Sequence, residues 1–243
     1  MQLIGDKNWT ETTLAWSPLG TYLTTFHRQG IQIWGGASWN RIQRFPHRLV
    51  RLVDFSPNET YMVTWSPDGI ALPPEGHPER ADLPFDDSSE GHHICIWKTQ
   101  TGELLRTFPQ VPTTEEVRLT WPFFKFSADE KYVARLLPNK QISVYELPSM
   151  KLLDNNSIKI AGVRDFEWAP ARIPGEKKPG AVEQHVLCYW TPEEGNSPAK
   201  VALLNIPSKE VVRTKNLFNV SDVLPNPSLL PFTLSARTDV FRV

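Results

Sequence analysis

The sequence lacks any long hydrophobic segment: its apolar runs reach only about six residues, whereas a membrane-spanning helix needs roughly 20. It also has little cysteine, since Cys95 and Cys188 allow at most one disulfide. The first residues, MQLIGDKNWTE, lack the basic start, the apolar middle and the small-residue cleavage site of a secretory signal. We therefore expect no membrane contact and a reducing, cytoplasmic compartment.

Neither sign of charge is in excess: 26 lysines and arginines face 27 aspartates and glutamates, which gives a net charge of −1 at pH 7. This balance excludes a basic field over the whole molecule, so any binding to nucleic acid must come from a local patch. Helical periodicity is missing as well, because no window beyond about ten residues repeats apolar side chains at helical spacing. With 40% hydrophobic residues and nine tryptophans, the chain can bury a core, and we predict an all-β globular fold.

What the sequence does contain is a repeat. An aromatic residue, a small residue and usually a proline recur at four places, spaced 39, 71 and 42 residues apart. The longest spacing falls to about 45 when residues 66–91 are set aside, and this period is typical of a four-stranded propeller blade. Because apolar residues locked to a period usually form a core, we expect the leading rings to pack between blades rather than to stack on nucleic-acid bases. These rings are Trp16, Phe55, Phe126 and Trp168.

Each repeat also carries the sequence features of strands. After the aromatic turn comes an alternating run such as residues 60–65, and then a β-branched run closed by an aromatic, such as residues 94–97. A turn, for example at Gly102, leads to a more polar outer strand. We predict a partial WD40-like β-propeller over residues 8–223 with about four four-stranded blades. The predicted blades cover approximately residues 12–45, 49–108, 117–155 and 162–215, and residues 224–243 are predicted to be an irregular tail.

Two segments interrupt the repeat. Residues 66–91 hold seven acidic residues, five prolines and a single arginine. We expect them to form an acidic, mobile loop between the second and third strands of blade two, whose replacement by a short linker would change stability little. Residues 171–184 occupy the matching place in blade four and are expected to be a second insertion.

A partial propeller leaves its end blades without neighbours. We therefore expect the first and fourth blades to face solvent and the chain to self-associate. Trp39 and Trp121 lie off the repeat, and each is expected either to be buried or to anchor an interface.

Several uncommon strings occur in the repeats, among them Trp16-Ser17-Pro18-Leu19-Gly20-Thr21-Tyr22-Leu23, Gly30-Ile31-Gln32-Ile33-Trp34-Gly35-Gly36, Asp54-Phe55-Ser56-Pro57-Asn58-Glu59, Lys159-Ile160-Ala161-Gly162-Val163-Arg164-Asp165-Phe166 and Asn216-Leu217-Phe218-Asn219-Val220. Together they closely resemble the b subunit of eukaryotic translation initiation factor 3. The likeness runs from about residue 8 to Asp222 and then stops.

The resemblance implies a non-enzymatic scaffold protein whose large propeller sits on the small ribosomal subunit, on its RNA and protein, and meets other subunits of the factor, chiefly the a subunit. This chain would hold roughly half of that propeller. The family's N-terminal RNA-recognition domain, which meets the a and j subunits, and its C-terminal helix, which docks the i and g subunits, have no counterpart in this sequence. Contacts with the i, g and j subunits are therefore not expected, and no RNP1-type string for reading single-stranded RNA occurs.

One concentration of basic residues stands out, with no acidic residue between its ends. It covers the predicted outer strand of blade one and the crossing to blade two, and it consists of Arg41, Arg44, His47, Arg48 and Arg51. One interpretation is contact with ribosomal RNA, because arginine binds phosphate bidentately and needs no base sequence to do so. The other interpretation is a charged edge strand that resists aggregation.

We propose no catalytic, cofactor-binding or metal-ligating residue from the sequence. His93 with Cys95, and His185 with Cys188, are at most fragments of a metal site, since zinc needs four converging ligands. The absence of G-x-S-x-G, Walker A and H-E-x-x-H strings speaks against a propeller hydrolase. The alternative among binding proteins is a generic WD40-type adaptor, for instance one that presents substrates to a ubiquitin ligase.

Overall fold

The computed structural model describes residues 10–110, 121–170, 185–217, 220–226, 230–236 and 240–241, with side chains up to residue 217. The chain divides into two compact units, Met1–Pro112 and Thr113–Val243. Among the described residues the only helices are the single turn α1 (Pro78–Ala81) and two 3-10 turns, Asp87–Ser89 and Leu153–Asn155. The predicted all-β class is therefore confirmed. None of these helices has the length or apolar character to cross a membrane.

The first unit contains two antiparallel sheets, each of four strands that pair in chain order. Sheet one consists of β1 (Leu14–Trp16), β2 (Tyr22–His27), β3 (Gly30–Gly35) and β4 (Asn40–Phe45). Sheet two consists of β5 (Leu52–Phe55), β6 (Tyr61–Trp65), β7 (Ile94–Lys98) and β8 (Leu104–Phe108). This meander of four strands is the arrangement of a propeller blade.

The serine of the repeated motif closes the turn between the first two strands of a sheet. The backbone N–H of Tyr22 donates to the hydroxyl of Ser17 at 2.9 Å, and the N–H of Ser17 donates back to the carbonyl of Tyr22 at 2.9 Å. The same pair of bonds joins Ser56 to Tyr61 and Ser127 to Tyr132. A small hydroxyl residue recurs there because its oxygen satisfies a backbone donor that the turn would otherwise leave buried and unpaired.

The rings of the repeat pack on a tyrosine of the preceding sheet. Phe55 stacks on Tyr22 with ring centroids 6.5 Å apart, and in the second unit Trp168 stacks on Tyr132 at 6.3 Å. Phe55, Phe126 and Trp168 are buried, as expected, but Trp16 is 59% exposed, so the expectation of a buried ring is wrong there. The physical reason is that the ring of Trp16 has no tyrosine to stack on among the described residues of the first unit and contacts only the exposed ring of Trp39, edge-on at 5.3 Å.

A second recurring contact is a relay from tryptophan to threonine to histidine. In sheet two the indole N–H of Trp97 donates to Thr64 Oγ1 at 2.9 Å, and that hydroxyl lies 2.8 Å from Nδ1 of His47. In sheet one Trp34 donates to Thr25 Oγ1 at 3.0 Å, and that oxygen lies 3.1 Å from a histidine ring nitrogen, Nε2 of His27. The relay gives each indole N–H an acceptor and links the tryptophan of the third strand to a histidine through a threonine of the second strand.

The acidic insertion is packed, contrary to the expectation of a mobile loop. Residues 66–91 do lie between the second and third strands of sheet two. Their stem continues the strand pairing, since Ile70 N–H donates to the carbonyl of His92 and Gly91 N–H donates to the carbonyl of Ile70, both at 2.8 Å. Ile70 and Phe85 are buried, and both join the core of the first unit. The charged residues of the insertion hid this packing, because its few apolar side chains are spaced irregularly.

The second unit contains three antiparallel sheets. Sheet three consists of β9 (Phe124–Phe126), β10 (Tyr132–Leu137), β11 (Gln141–Glu146), β12 (Lys151–Leu152) and β13 (Ile158–Lys159), of which β12 and β13 both pair with β11. Sheet four consists of β14 (Asp165–Trp168), β15 (His185–Thr191), β16 (Ala199–Ile206) and β17 (Val211–Leu217), and sheet five consists of β18 (Val220–Asn226), β19 (Leu230–Ala236) and β20 (Val240–Phe241). The predicted insertion at residues 171–184 lies outside the described residues.

Sheet five overturns the expectation of an irregular tail over residues 224–243. Its strands pair antiparallel in the order β18, β19, β20. Residues 230–236 alternate Leu, Phe, Leu and Ala with Pro, Thr and Ser, which is the period of a strand with one apolar face. The missing aromatic turn and closing aromatic concealed this alternation.

Sheets three and four are joined by a lysine that bridges two carboxylates. Nζ of Lys125 on β9 lies 3.0 Å from Asp165 Oδ1 and 2.7 Å from Glu167 Oε2 on β14, and it also donates to the carbonyl of Phe166 at 2.7 Å. The indole of Trp168 donates in turn to the carbonyl of Lys125 at 2.8 Å. The Lys125 side chain is 17% exposed, whereas those of Asp165 and Glu167 are 31% and 32% exposed, so the bridge is only partly buried.

Lys125→Met should therefore destabilise the chain strongly. Removal of the ammonium leaves two carboxylates close together in a partly buried site. Because the cost of breaking such a network lies between that of a surface pair and that of a buried pair, we expect a loss of about 2 kcal/mol of unfolding free energy. Urea denaturation measures this loss. Lys131→Met is the matched control, because Lys131 pairs with Asp129 at the surface and should change stability by less than about 1 kcal/mol. Equal losses in the two variants would contradict a structural role for the Lys125 bridge.

Candidate functional site

The four arginines of the predicted basic cluster are all exposed. Arg41 and Arg44 lie on β4, and Arg48 and Arg51 lie in the connection from β4 to β5. Arg41 pairs with Trp34 and Arg44 with Gln32, and a bulge between these pairs puts both arginines on one face of sheet one. The two are three residues apart on the strand, so their backbones are separated by about 10 Å. Arg41 thus lies at the opposite end of β4 from Arg48 and Arg51.

His47 does not belong to an exposed cluster, and the expectation that it contacts RNA is wrong. Its side chain is 1% exposed and lies against Thr64 in the relay described above. Burial, with a smaller effect of His93, lowers the pKa of His47 from 6.5 to about 3, so the ring is neutral at pH 7. A neutral, enclosed imidazole offers no charge to a phosphate.

A cavity of about 540 Å³ opens at the end of sheet one where the β2–β3 turn meets the β4–β5 connection. Arg51 lines it, and so does Arg28, which the search for runs of basic residues missed. Leu49 and Val50 line it as well, and Glu11, Thr12 and His27 complete the lining.

Arg28 joins the cluster through the fold and not through the sequence. It stands 13 positions before Arg41, but the β2–β3 turn returns it to the end of β4, where Arg44 donates to the neighbouring Gln29 at 2.8 Å. Two adjacent hairpins place the β2–β3 turn beside the end of β4, so a search for basic residues at both places in the sequence would have identified Arg28. We name Arg28, Arg44, Arg48 and Arg51 the cationic edge.

Glu11 holds Arg28 in place at the cavity. Its carboxylate accepts the backbone N–H of Arg28 at 3.0 Å and lies 3.9 Å from the guanidinium Nε, with His27 Nδ1 at 3.8 Å. The side chain of Arg28 remains 87% exposed. An acid on the Nε side orients a guanidinium and leaves its outer N–H groups directed to solvent, where they can bind an oxyanion.

One group of residues in the second unit combines the side chains of a hydrolytic triad, but in an order that does not activate a nucleophile. Ser127 Oγ donates to Asp129 Oδ1 at 2.9 Å, and His185 Nε2 lies 2.8 Å from Asp129 Oδ2. The aspartate therefore stands between the serine and the histidine, whereas a catalytic serine must give its proton to the histidine. The serine is also buried and accepts the N–H of Tyr132, which identifies the group as a turn-closing network.

The cysteines and histidines do not converge on a metal site within the part of the chain that the structure describes. Both cysteines are free and buried. Burial raises the pKa of the Cys188 thiol to about 12, and it raises that of Cys95 well above its usual value. Neither thiol supplies a thiolate at neutral pH.

Comparison with known proteins finds relatives that are similar to most of the chain. The chain is 50% identical over 225 residues to the b subunit of eukaryotic translation initiation factor 3 from Schizosaccharomyces pombe, and 52% identical over 227 residues to the same protein from Pyricularia oryzae. Each alignment covers 91% of this chain, and the chain spans 31% and 30% of the length of these two relatives. No protein-family model matches the chain.

A solved structure supports the fold. A crystal structure described as that of the eukaryotic initiation factor superposes with a TM-score of 0.66 at 22% identity, over 91% of this chain and 48% of the other. At this identity the likeness shows the fold alone, and the predicted WD40-like blades are confirmed. The resemblance found in the sequence strings is also confirmed: the chain is a relative of the b subunit of eukaryotic translation initiation factor 3 over nine tenths of its own length.

Proposed function

We propose that the chain is a scaffold segment of a translation initiation factor complex, which binds the small ribosomal subunit and other subunits of the factor, chiefly the a subunit. The observation that carries this proposal is the sequence identity of about one half to the b subunit of initiation factor 3 along 91% of the chain. The proposed role is non-enzymatic and cytoplasmic. It needs no cofactor, because a propeller binds its partners through side chains fixed on rigid strands.

We assign the contact with ribosomal RNA to arginines of sheet one. Arg41, Arg44, Arg48 and Arg51 are exposed, and Arg28 extends the set at the cavity end. Guanidinium groups bind phosphate with paired hydrogen bonds, and such contacts fix a protein on RNA without reading base sequence. Since the net charge of the chain is only −1, a local array of this kind is the arrangement through which it can attract RNA.

Charge reversal tests this assignment. Arg41, Arg44, Arg48 and Arg51 replaced together by glutamate, in the full-length factor protein, should weaken association with small ribosomal subunits by more than tenfold, because several phosphate contacts are lost at once. Co-sedimentation at several salt concentrations measures the effect. The wild-type affinity should fall steeply as salt rises, and the variant should show a shallower slope.

A pair of double variants separates the cationic edge from charge in general. Arg48→Glu with Arg51→Glu should weaken binding, whereas Arg213→Glu with Lys215→Glu, which reverses two exposed charges on β17, should not. Circular dichroism must show that both variants are folded. Unchanged co-sedimentation of the Arg48→Glu and Arg51→Glu variant would contradict the RNA contact. It would favour the other interpretation of the arginines, a charged edge strand that resists aggregation.

A further inference from the structure

His27, the last residue of β2, lines the cavity of the first unit together with charged residues from three segments. Glu11 faces it from the segment that enters β1, with Oε1 3.8 Å from Nδ1 of the ring. Arg28 follows it in the β2–β3 turn, and Arg51 lines the cavity from the segment that enters β5. The cavity thus lies between described segments of sheets one and two, and the His27 side chain is 17% exposed.

The hydrogen bonds of His27 can be satisfied in both protonation states of its ring. Nε2 lies 3.1 Å from Thr25 Oγ1, which accepts the indole N–H of Trp34 at 3.0 Å and lies 3.5 Å from the carbonyl of Gln32. When the ring is neutral, the hydroxyl can donate its proton to Nε2. When the ring is protonated, Nε2 can donate to the hydroxyl, which accepts Trp34 through its second lone pair and turns its proton to Gln32. Glu11 beside Nδ1 favours the added positive charge.

The histidine of the second relay is not built to accept a proton. Nδ1 of His47 lies 2.8 Å from Thr64 Oγ1, but its Nε2 is buried and has no hydrogen-bond partner among the described residues. Burial, with a smaller effect of His93, lowers the pKa of His47 to about 3. The relay of sheet one therefore ends at an acid and an open cavity, whereas that of sheet two ends at an enclosed nitrogen.

We propose that protonated His27 is a third cation of the cavity and that it strengthens the binding of RNA phosphate as the pH falls. This inference rests on the RNA contact proposed above. With a neutral ring, two arginines and one glutamate give the lining a net charge of +1, and protonation of His27 raises it to +2. Histidine is the side chain whose charge changes between pH 5 and 8.

Charges around His27 act in both directions on its protonation. Arg28 and Arg51 oppose a further positive charge, whereas Glu11 favours it, and β2 and β3 contribute only Thr25 and Gln32 to the ring's hydrogen bonds. A phosphate bound in the cavity adds a second negative charge beside the ring. Because linkage is reciprocal, phosphate binding should cause uptake of a proton, just as uptake of a proton should tighten phosphate binding.

Binding of a fluorescent oligouridine to the whole 243-residue chain at pH 8 and pH 6 tests the inference, because uridine phosphodiesters carry the same charge at both values. We expect the wild type to bind about threefold more tightly at pH 6, the effect of one added unit charge near a phosphate in a cavity open to solvent. His27→Gln keeps a hydrogen-bonding side chain beside Thr25 but takes up no proton, so most of this ratio should be lost. His77→Gln is the matched control, since His77 is exposed in the acidic insertion, and it should keep the wild-type ratio.

Calorimetry gives a second measurement that needs no variant. The wild type is titrated with oligouridine at pH 6.5 in two buffers of different ionisation enthalpy. The difference between the two binding heats should show that protons are taken up when the complex forms.

Three results would overturn the inference and leave the RNA contact standing. The first is a wild-type affinity that is equal at pH 8 and pH 6, and the second is binding without proton uptake. The third is a ratio that His27→Gln retains in full, while Arg48→Glu with Arg51→Glu still weakens binding at both pH values. A chain that does not bind oligouridine at either pH would contradict the RNA contact itself, and this inference with it.

Discussion

Phe85→Ala should lower the melting temperature of the chain by about 10 °C or more. The ring is 9% exposed and packs edge-on against Trp97 with centroids 6.0 Å apart, so its loss leaves a cavity in the core of the first unit. Truncation of a buried phenylalanine costs about 3–5 kcal/mol, and each kcal/mol shifts the midpoint of a domain of this size by several degrees. Thermal unfolding followed by near-ultraviolet circular dichroism measures the shift.

The control lies in the same segment. Glu79→Ala changes an exposed residue of α1, and it should leave the midpoint within about 2 °C of the wild type, because surface substitutions usually change stability by less than about 0.5 kcal/mol. Replacement of residues 68–90 by a short glycine and serine linker should destabilise at least as strongly as Phe85→Ala. It removes both Ile70 and Phe85 from the core, whereas shortening a loop returns only about 0.6 kcal/mol for each halving of its length. A linker variant as stable as the wild type would show that the insertion contributes no packing.

The strands and turns of the repeat were predictable from the sequence, because they depend on residues close to one another along the chain. The alternating run at residues 60–65 and the β-branched run at residues 94–97 correspond to strands β6 and β7, because strand periodicity is local. The recurring serine was recognisable as part of a turn for the same reason. Its hydrogen bond to the tyrosine five residues later repeats in the three copies of the motif that carry serine, whereas the fourth copy has Ala169, which lacks a hydroxyl.

The sequence does not show which side of a repeat is covered. Trp16 and Phe55 occupy the same motif position, but one is exposed and the other buried, because burial depends on whether another sheet lies alongside. His47 sits among arginines in the sequence, yet its side chain turns into the core toward Thr64 while Arg48 remains outside. Arg28 was missed because the strands between it and Arg44 hide their proximity. Contacts across a sheet or between sheets decide all of these outcomes.

Acid should lower the free energy of unfolding of the chain through His47, which is the second large effect that we predict. An unfolded chain binds a proton at His47 below pH 6.5, whereas burial lowers the pKa of the folded state to about 3. Between these values the unfolded state holds more protons than the folded state, so the contribution of His47 to stability is complete above pH 6.5 and is lost as the pH falls. The slope for one proton is about 1.4 kcal/mol per pH unit.

Asp54 acts in the opposite direction. Burial raises the pKa of its carboxyl from 3.8 to about 6, so the folded state holds the extra proton in that window and acidification favours folding. The two slopes nearly cancel between pH 4 and 6 in the wild type. Asp54→Asn should therefore make the chain more sensitive to acid, with a loss approaching 1.4 kcal/mol for each pH unit below 6.

A comparison of His47→Asn with the wild type isolates the histidine, because Asp54 contributes equally to both. Asparagine keeps a polar group near Thr64, so the variant should fold, although with less stability at pH 7. Urea denaturation at half-unit steps from pH 7.5 to pH 4.5 gives the free energy of unfolding of each protein. The advantage of the wild type should shrink by about 1.4 kcal/mol per unit once the pH is below 6.5, and it should be constant above that. Parallel curves throughout would contradict the prediction, because they would mean that His47 binds protons equally in the folded and unfolded chains.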